Sequence, residues 1–390
     1  MDRALLALSL TPGLGPTLIG RLIESFGSAS IAAGAAAVQL ERIKGIGSAK
    51  AASIALGLAK ADVAADNEIA LAASLGVTIL TKGTSDYPAL LAPLADAPPV
   101  LYTKGHIQPI GSDQFAVGIV GSRECTAYGM EQAERFASIL ASSGLTIVSG
   151  GARGIDSAAH RSALKAGGRT IAVLGCGLAH TYPPENLDLF DSITKSGAVV
   201  SELPLATAPA AENFPSRNRI ISGLSLGVLV IEAGHKSGAL ITAKVAAEDH
   251  GREVMALPGR VDSPSSKGSL DLLKSGGALL VTEPADVIHA LESAAHHSHT
   301  GTHAARFSTA PPNALFDAAP APKPPPSAKP RVDPDSPAGR ILSALDEPRT
   351  MDELLTRTGL EAGALRGHTA LLEIQKLVVR DGSRLKRPRQ

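Results

Sequence analysis

FAVGIVGSRECTAYGMEQAERFASILASSGLTIVSGGARGID, residues 115–156, decides the fold. A short run of small and branched apolar residues (115–120) stops at Gly121-Ser122-Arg123, a helical pattern fills 127–142, and a second apolar run (146–148) stops at Ser149-Gly150-Gly151. Neither run alternates with polar residues, as expected of strands covered on both faces. Strand, helix and strand in this order make a βαβ unit, whose two strands are parallel.

The alternation continues downstream. Helices are expected at 155–166, 185–195, 217–224 and 239–250, with strands at 170–174, 198–200, 228–231 and 253–256. The fold class is therefore α/β, a doubly wound Rossmann-like parallel sheet. Upstream, GVTILTKGTSDYPALLAPLADAPPVLYTKG reads as two further strands around a Pro-rich loop.

The chain's beginning carries an internal repeat. LTPGLG (10–15) recurs as IKGIG (43–47), each followed by a helical pattern, which is the turn of a helix-hairpin-helix or SAM-like module. Such a turn exposes backbone N–H groups at a helix start, where a phosphate can sit. Lys44, Gly45, Gly47 and Lys50 make it a candidate secondary DNA contact; a packing module that touches no DNA is the equal alternative. At the other end, residues 293–335 turn to His, Ala and Pro, as in a semi-extended linker. Its histidines lack the rigid scaffold of a metal site, so no metal is expected. The tail reads as three helices and a hairpin, a winged helix, with Pro337 after an N-capping Ser336 and a capping box at Thr350-Met-Asp-Glu353. Gly363 and Gly367 punctuate its third helix, and Arg366 and His368 are its only basic groups, which suits protein contact better than groove reading. The expected domains are residues 1–65, 66–292, 293–335 and 336–390.

Lys plus Arg and Asp plus Glu both total 37, so any polyanion site must be a local groove rather than a general positive coat. Cys125 and Cys176 are too few for a disulfide framework or a zinc site. No apolar run spans a bilayer and no signal peptide is read at the start, so a cytoplasmic protein is expected.

In an open α/β sheet, ligands bind beyond the carboxyl ends of the strands. Those ends carry Gly121-Ser122-Arg123, SGGARGID (149–156), GCGLAHTYPPEN (175–186), SELP (201–204), FPSRNRIISGLS (214–225) and EAGHKSGALITA (232–243). Arg123, Arg153, Arg217, Arg219 and Lys236 are thus expected on one glycine-lined rim, with Asn218 fixing the loop between two of them. Separated cations suit an extended polyanion, and Phe214 is readable as a stacking ring or as core. Asp156 reads as a helix N-cap and His160 as a packed or exposed residue. The G-x-G-x-x-G and G-x-x-x-x-G-K-[ST] phosphate loops are absent, so no nucleotide cofactor is expected. The competing reading is a nucleotide-processing enzyme with Glu232 acting at a ribose.

GSR, SGGARGID, TIAVLGCGL, YPPEN, SELP, FPSRNRIISGLS, SGALITA and LPGR occur here in the order of the DNA-processing protein A (DprA/Smf) family, which the chain resembles from about residue 118 to 260. The resemblance implies a non-catalytic, single-stranded DNA-binding protein of natural transformation. It would protect incoming DNA, form a homodimer and help load the RecA recombinase. By motif match, Gly121, Ser122, Arg123, Gly150, Gly151, Arg153, Phe214, Arg217 and Arg219 would line the DNA pocket.

Overall fold

The eight strands expected from the apolar runs, joined by a ninth at Leu279–Leu280 that was not expected, form a nine-stranded sheet in the computed structural model, which describes residues 1–299, 333–334, 336–374, 377–381 and 384–388. They are β1 (Thr78–Thr81), β2 (Val100–Gly105), β3 (Ala116–Val120), β4 (Thr146–Ser149), β5 (Thr170–Val173), β6 (Ala198–Ser201), β7 (Gly227–Val230), β8 (Glu253–Ala256) and β9 (Leu279–Leu280). Their order is β1-β2-β6-β5-β4-β3-β7-β8-β9. β1 and β2 pair antiparallel with each other and β2 with β6; every pair from β6 to β9 is parallel. The chain winds outward from β3 through β6, then crosses back to lay β7 on the other side of β3, with Val117 between Ile147 and Gly227. That reversal is the topological switch point, where a doubly wound sheet binds its ligand.

Fifteen α-helices accompany the sheets among the described residues. Five precede it: α1 (Arg3–Ser9), α2 (Pro16–Phe26), α3 (Ala29–Ala33), α4 (Ala37–Leu40) and α5 (Ser48–Leu75). The repeated turns share one geometry: Gly13 and Gly45 have φ of 85° and 96°, and Gly15 and Gly47 are the N-caps of α2 and α5. α5 runs unbroken across the expected boundary at residue 65, as far as Leu75. Its first half packs in the helical module, while Ala61, Ala65 and Ala72 pack against β1 and β2. Nothing in the alanine-rich run breaks a helix before Gly76, which caps it with φ 64°.

α6 (Ala127–Ser142), α7 (Ile155–Lys165), α8 (Leu187–Ser196), α9 (Asn213–Gly223), α10 (Gly238–Glu248), α11 (Lys267–Lys274) and α12 (Pro284–His299) cover the sheet. α9 starts four residues earlier than expected, which proves decisive for the site. α12 carries helix past the expected linker start at 293; residues 300–332 and 335 of that linker, including His303, lie outside the described residues, as do the side chains of His296, His297 and His299. The tail holds α13 (Pro337–Ala344), α14 (Met351–Thr358) and α15 (Ala362–Ile374) with β10 (Arg349–Thr350), β11 (Val379–Asp381) and β12 (Arg384–Lys386), the strands ordered β10-β12-β11. Ser336 caps α13 with Pro337 following, and Thr350 and Glu353 form the capping box. The turn expected at 382–383 lies outside the described residues. Among the described residues no helix is long and apolar enough to cross a membrane.

His160, on α7, is fully buried, and its bonds define its tautomer. The Thr170 hydroxyl gives its proton to the Ile147 carbonyl at 2.7 Å, so His160 Nδ1–H must donate to Thr170 Oγ1, 2.6 Å away. Nε2 is left as a bare acceptor with no partner among the described residues. Burial, aided by Arg217, holds this imidazole at about 3 rather than its ordinary 6.5. The folded value lies below the unfolded one, so below pH 6.5 the unfolded chain takes up the proton first. Stability falls as pH drops from about 6.5 toward about 3, by at most about 1.4 kcal/mol per pH unit from this group. Urea unfolding at pH 7.5, 6 and 5 should show this slope, and His160→Asn should flatten it; equal slopes in both proteins would rule the histidine out.

Candidate nucleic-acid interface at the sheet's switch point

A cleft of about 730 Å³ opens where β3 and β7 end. One wall is the turn Gly121-Ser122-Arg123, held by Ser122 N–H donating to the Glu232 carbonyl at 2.8 Å and by Ile155 N–H donating to the Ser122 carbonyl at 3.2 Å. The facing wall is the start of α10 with Lys236, and Phe214 and Asn218 from α9 lie between. Arg123 and Lys236 are exposed and have no carboxylate partner among the described residues. The guanidinium carbon of Arg123 stands 5.1 Å from the centroid of the half-buried Phe214 ring. Tyr182 lies on another side of the ring, centroid to centroid 5.4 Å at 46°. Two adjoining rings, a guanidinium over one of them and an ammonium lining the same cleft provide stacking surface and charge together.

A small neighbouring hollow shares Arg123, Tyr182 and Phe214 and adds Gly150 and Arg153. Arg153 is paired with Glu185, both about half exposed, so water competes for this ion pair and a phosphate can displace the carboxylate at small cost. The pairing raises the guanidinium's pKa and lowers that of the carboxylate.

Of the two α9 arginines expected at the rim, Arg217 lines the cleft, its guanidinium carbon 5.9 Å from the Phe214 ring centroid, whereas Arg219 does not line it. Arg217 is 4 % exposed. Its Nη1 donates to the carbonyls of Gly150 and Val173, and its Nε donates to Asn218 Oδ1 at 3.2 Å. Burial pulls its pKa down to about 10, with Asp156 opposing the shift. Asp156 is buried beside it and is pushed above its ordinary value by burial. Gly150 permits this approach: a Cβ there would lie 2.7 Å from both Arg217 Nη2 and Asp156 Oδ2. Asp156 is therefore a buried neighbour of Arg217, accepting from Ala152 N–H at 3.3 Å, and not the N-cap, a position taken by Gly154. Arg219 points away from the cleft to Glu202 and Asp96. Asn218 lines the cleft but is spent on structure, accepting from Arg217 and donating to the Gly238 carbonyl at 3.2 Å. Gly151 faces Phe190 beneath the rim rather than the cleft.

Glu232, the acid of the competing enzymatic reading, is 3 % exposed, and its oxygens accept from Thr126 N–H and Oγ1–H at 2.8 and 2.9 Å. It anchors the start of α6. Lys44, Gly45, Gly47 and Lys50 are exposed on the helical module and take no part in the cleft; the Lys44 carbonyl there accepts from Arg21 at 2.8 Å. Tyr182 and Glu185 belong to the YPPEN stretch and are not among the site residues expected from the sequence. Its signal was an aromatic and an acid in a strand-end loop.

The family model for DNA recombination-mediator protein A matches residues 78–292, and that for the DprA winged helix domain matches residues 319–382. The chain is 41% identical over 280 residues to Protein Smf of Synechocystis, covering 71% of this chain and 70% of that protein. It is 48% identical over 211 residues to Protein Smf of Escherichia coli, covering 54% and 55% respectively. Among solved structures it is similar to DNA processing protein A from Streptococcus pneumoniae, at 34% identity and a TM-score of 0.65, covering 74% of this chain and 98% of that one. Sequence, winged-helix tail and sheet topology agree: the chain belongs to the DNA-processing protein A (DprA/Smf) family.

Proposed function

We propose that this chain binds single-stranded DNA across the switch-point cleft, as a non-catalytic mediator in natural transformation. The observation that carries this is Phe214, flanked by Tyr182 and capped by an unpaired Arg123, in an open cleft whose other wall holds Lys236. Duplex bases are already stacked and paired, so only an unpaired base can use such a ring. The cations hold phosphates without reading sequence. Arg153 extends the track once Glu185 yields. Protection of incoming DNA follows from covering it, and hand-over to the RecA recombinase by a cytoplasmic homodimer completes the reading that the family suggests. The hairpin turn at Lys44, Gly45, Gly47 and Lys50 is a second contact on the same strand. No residue of the cleft is proposed to do chemistry, and no cofactor or metal is invoked.

The test is titration into a fluorescent oligonucleotide at two salt concentrations, with duplex as competitor. The wild-type chain should prefer the single strand and weaken with salt. Arg123→Ala should raise Kd about tenfold and reduce the logarithmic salt slope by about 0.7, one phosphate contact on a single strand. Equal affinity for duplex, together with indifference to Arg123→Ala and Lys236→Ala, would overturn the assignment.

A further inference from the structure

α15, the third helix of the tail module, has two buried faces. Leu365 and Leu372 join Ile341, Leu354, Val378 and Leu385 in the module's own core. Another stripe, Ala364, Gly367, His368 and Leu371, follows helical three-and-four spacing and meets the end of α6. Leu371 is 8 % exposed and belongs to the sheet domain's hydrophobic cluster, not to the module's. It sits on Gly144, where a Cβ would come within 2.5 Å of Leu371 Cδ2. Gly367 lies so close to Ser143 that a Cβ would fall on the serine hydroxyl. Hollows of about 440 and 860 Å³ flank the contact, the larger reached by Arg366.

A winged helix that reads duplex lays the face of its third helix pointing away from its own core into the major groove. That groove is about 12 Å wide, and a helix with its side chains fills it, at about 10–12 Å. The helix face therefore takes either DNA or a protein neighbour. Here it has taken α6. We propose that the C-terminal module is held closed on the sheet domain by the very helix face a winged helix presents to DNA, and that this contact keeps duplex off the module.

Three features make the contact a built one. Leu371 contributes nothing to the module's core, so its apolar side chain is placed for docking. Gly367 is an internal helix position where glycine disfavours the helix but permits the approach of Ser143. Gly144 has φ 92° in the turn after α6 and leaves the space that Leu371 fills. The contact lies where α6 ends, at the edge of the sheet opposite the cleft, so the proposal does not depend on the single-strand reading.

Leu371→Ser removes the docking side chain while leaving the module's core intact, and Gly367→Leu, which wedges against Ser143, is the second variant should the first fail to fold. Hydrogen exchange on the full chain should quicken at least tenfold in α15 and in residues 139–145 and stay unchanged in α13 and α14. Affinity for a duplex oligonucleotide should rise at least threefold, and adding Arg366→Ala should remove that gain. Unchanged exchange at the contact would overturn the docking. Quickened exchange without a gain in duplex affinity would overturn its role as a guard.

Discussion

Arg217→Ala should cost the sheet domain about 3–5 kcal/mol of stability, enough to threaten its folding. The guanidinium sits between two strand-end carbonyls, those of Gly150 and Val173, and next to buried Asp156. Removing it strands both carbonyls and leaves a carboxyl group that burial has already pushed above its ordinary value. Arg217→Lys should lose about half as much, keeping a charge but not a planar fork that reaches two carbonyls and Asn218 at once. Urea unfolding measures both. An alanine variant within about 1 kcal/mol of wild type that had lost single-strand binding would make Arg217 a ligand contact after all.

The burial of Arg217 has a definite physical source. FPSRNRIISGLS reads as a loop running into a helix at residue 217, because Pro215 and Ser216 look like breakers. Proline is tolerated in a helix's first turn, where its missing N–H would have no partner, and α9 begins at Asn213. From that start, residues 217, 220, 221 and 224 fall on one face, and all are buried. The arginine is carried inward with the isoleucines, while Arg219 turns aside to Glu202.

Strand ends were legible because glycine-rich turns interrupt unbroken apolar runs, and this alone located the cleft and its Gly121-Ser122-Arg123 wall. Which cations remained unpaired was not legible. Pairing depends on acids distant in sequence: Glu185 for Arg153, and Glu202 and Asp96 for Arg219. That one helix crosses the expected boundary near residue 65 has a simpler reason: alanine favours helix on either side of a module's edge.

Phe214→Leu should weaken single-strand binding by about 5–150-fold, the worth of one stacked base at ~1–3 kcal/mol. The ring is half-buried, with Tyr182 and Arg123 on its flanks and Gly175 so close that a Cβ there would lie 2.8 Å from Phe214 Cδ1. Leucine fills much of that space and keeps the apolar contact with Gly175, so stability should change by less than about 1.5 kcal/mol. What it lacks is a π-face. In the free protein Arg123 covers the ring, a contact worth about 0.5–1 kcal/mol at an exposed site. On the proposed binding mode an incoming base would displace that guanidinium, which would then meet the adjoining phosphate in a charge-assisted bond, so ring and cation would act on one nucleotide. The two losses should consequently overlap: Phe214→Leu combined with Arg123→Ala should cost less than the product of the single effects. Independent, fully multiplicative losses would place ring and arginine on different nucleotides. Binding within twofold of wild type in Phe214→Leu would make the ring part of the core and leave the cleft to phosphates alone.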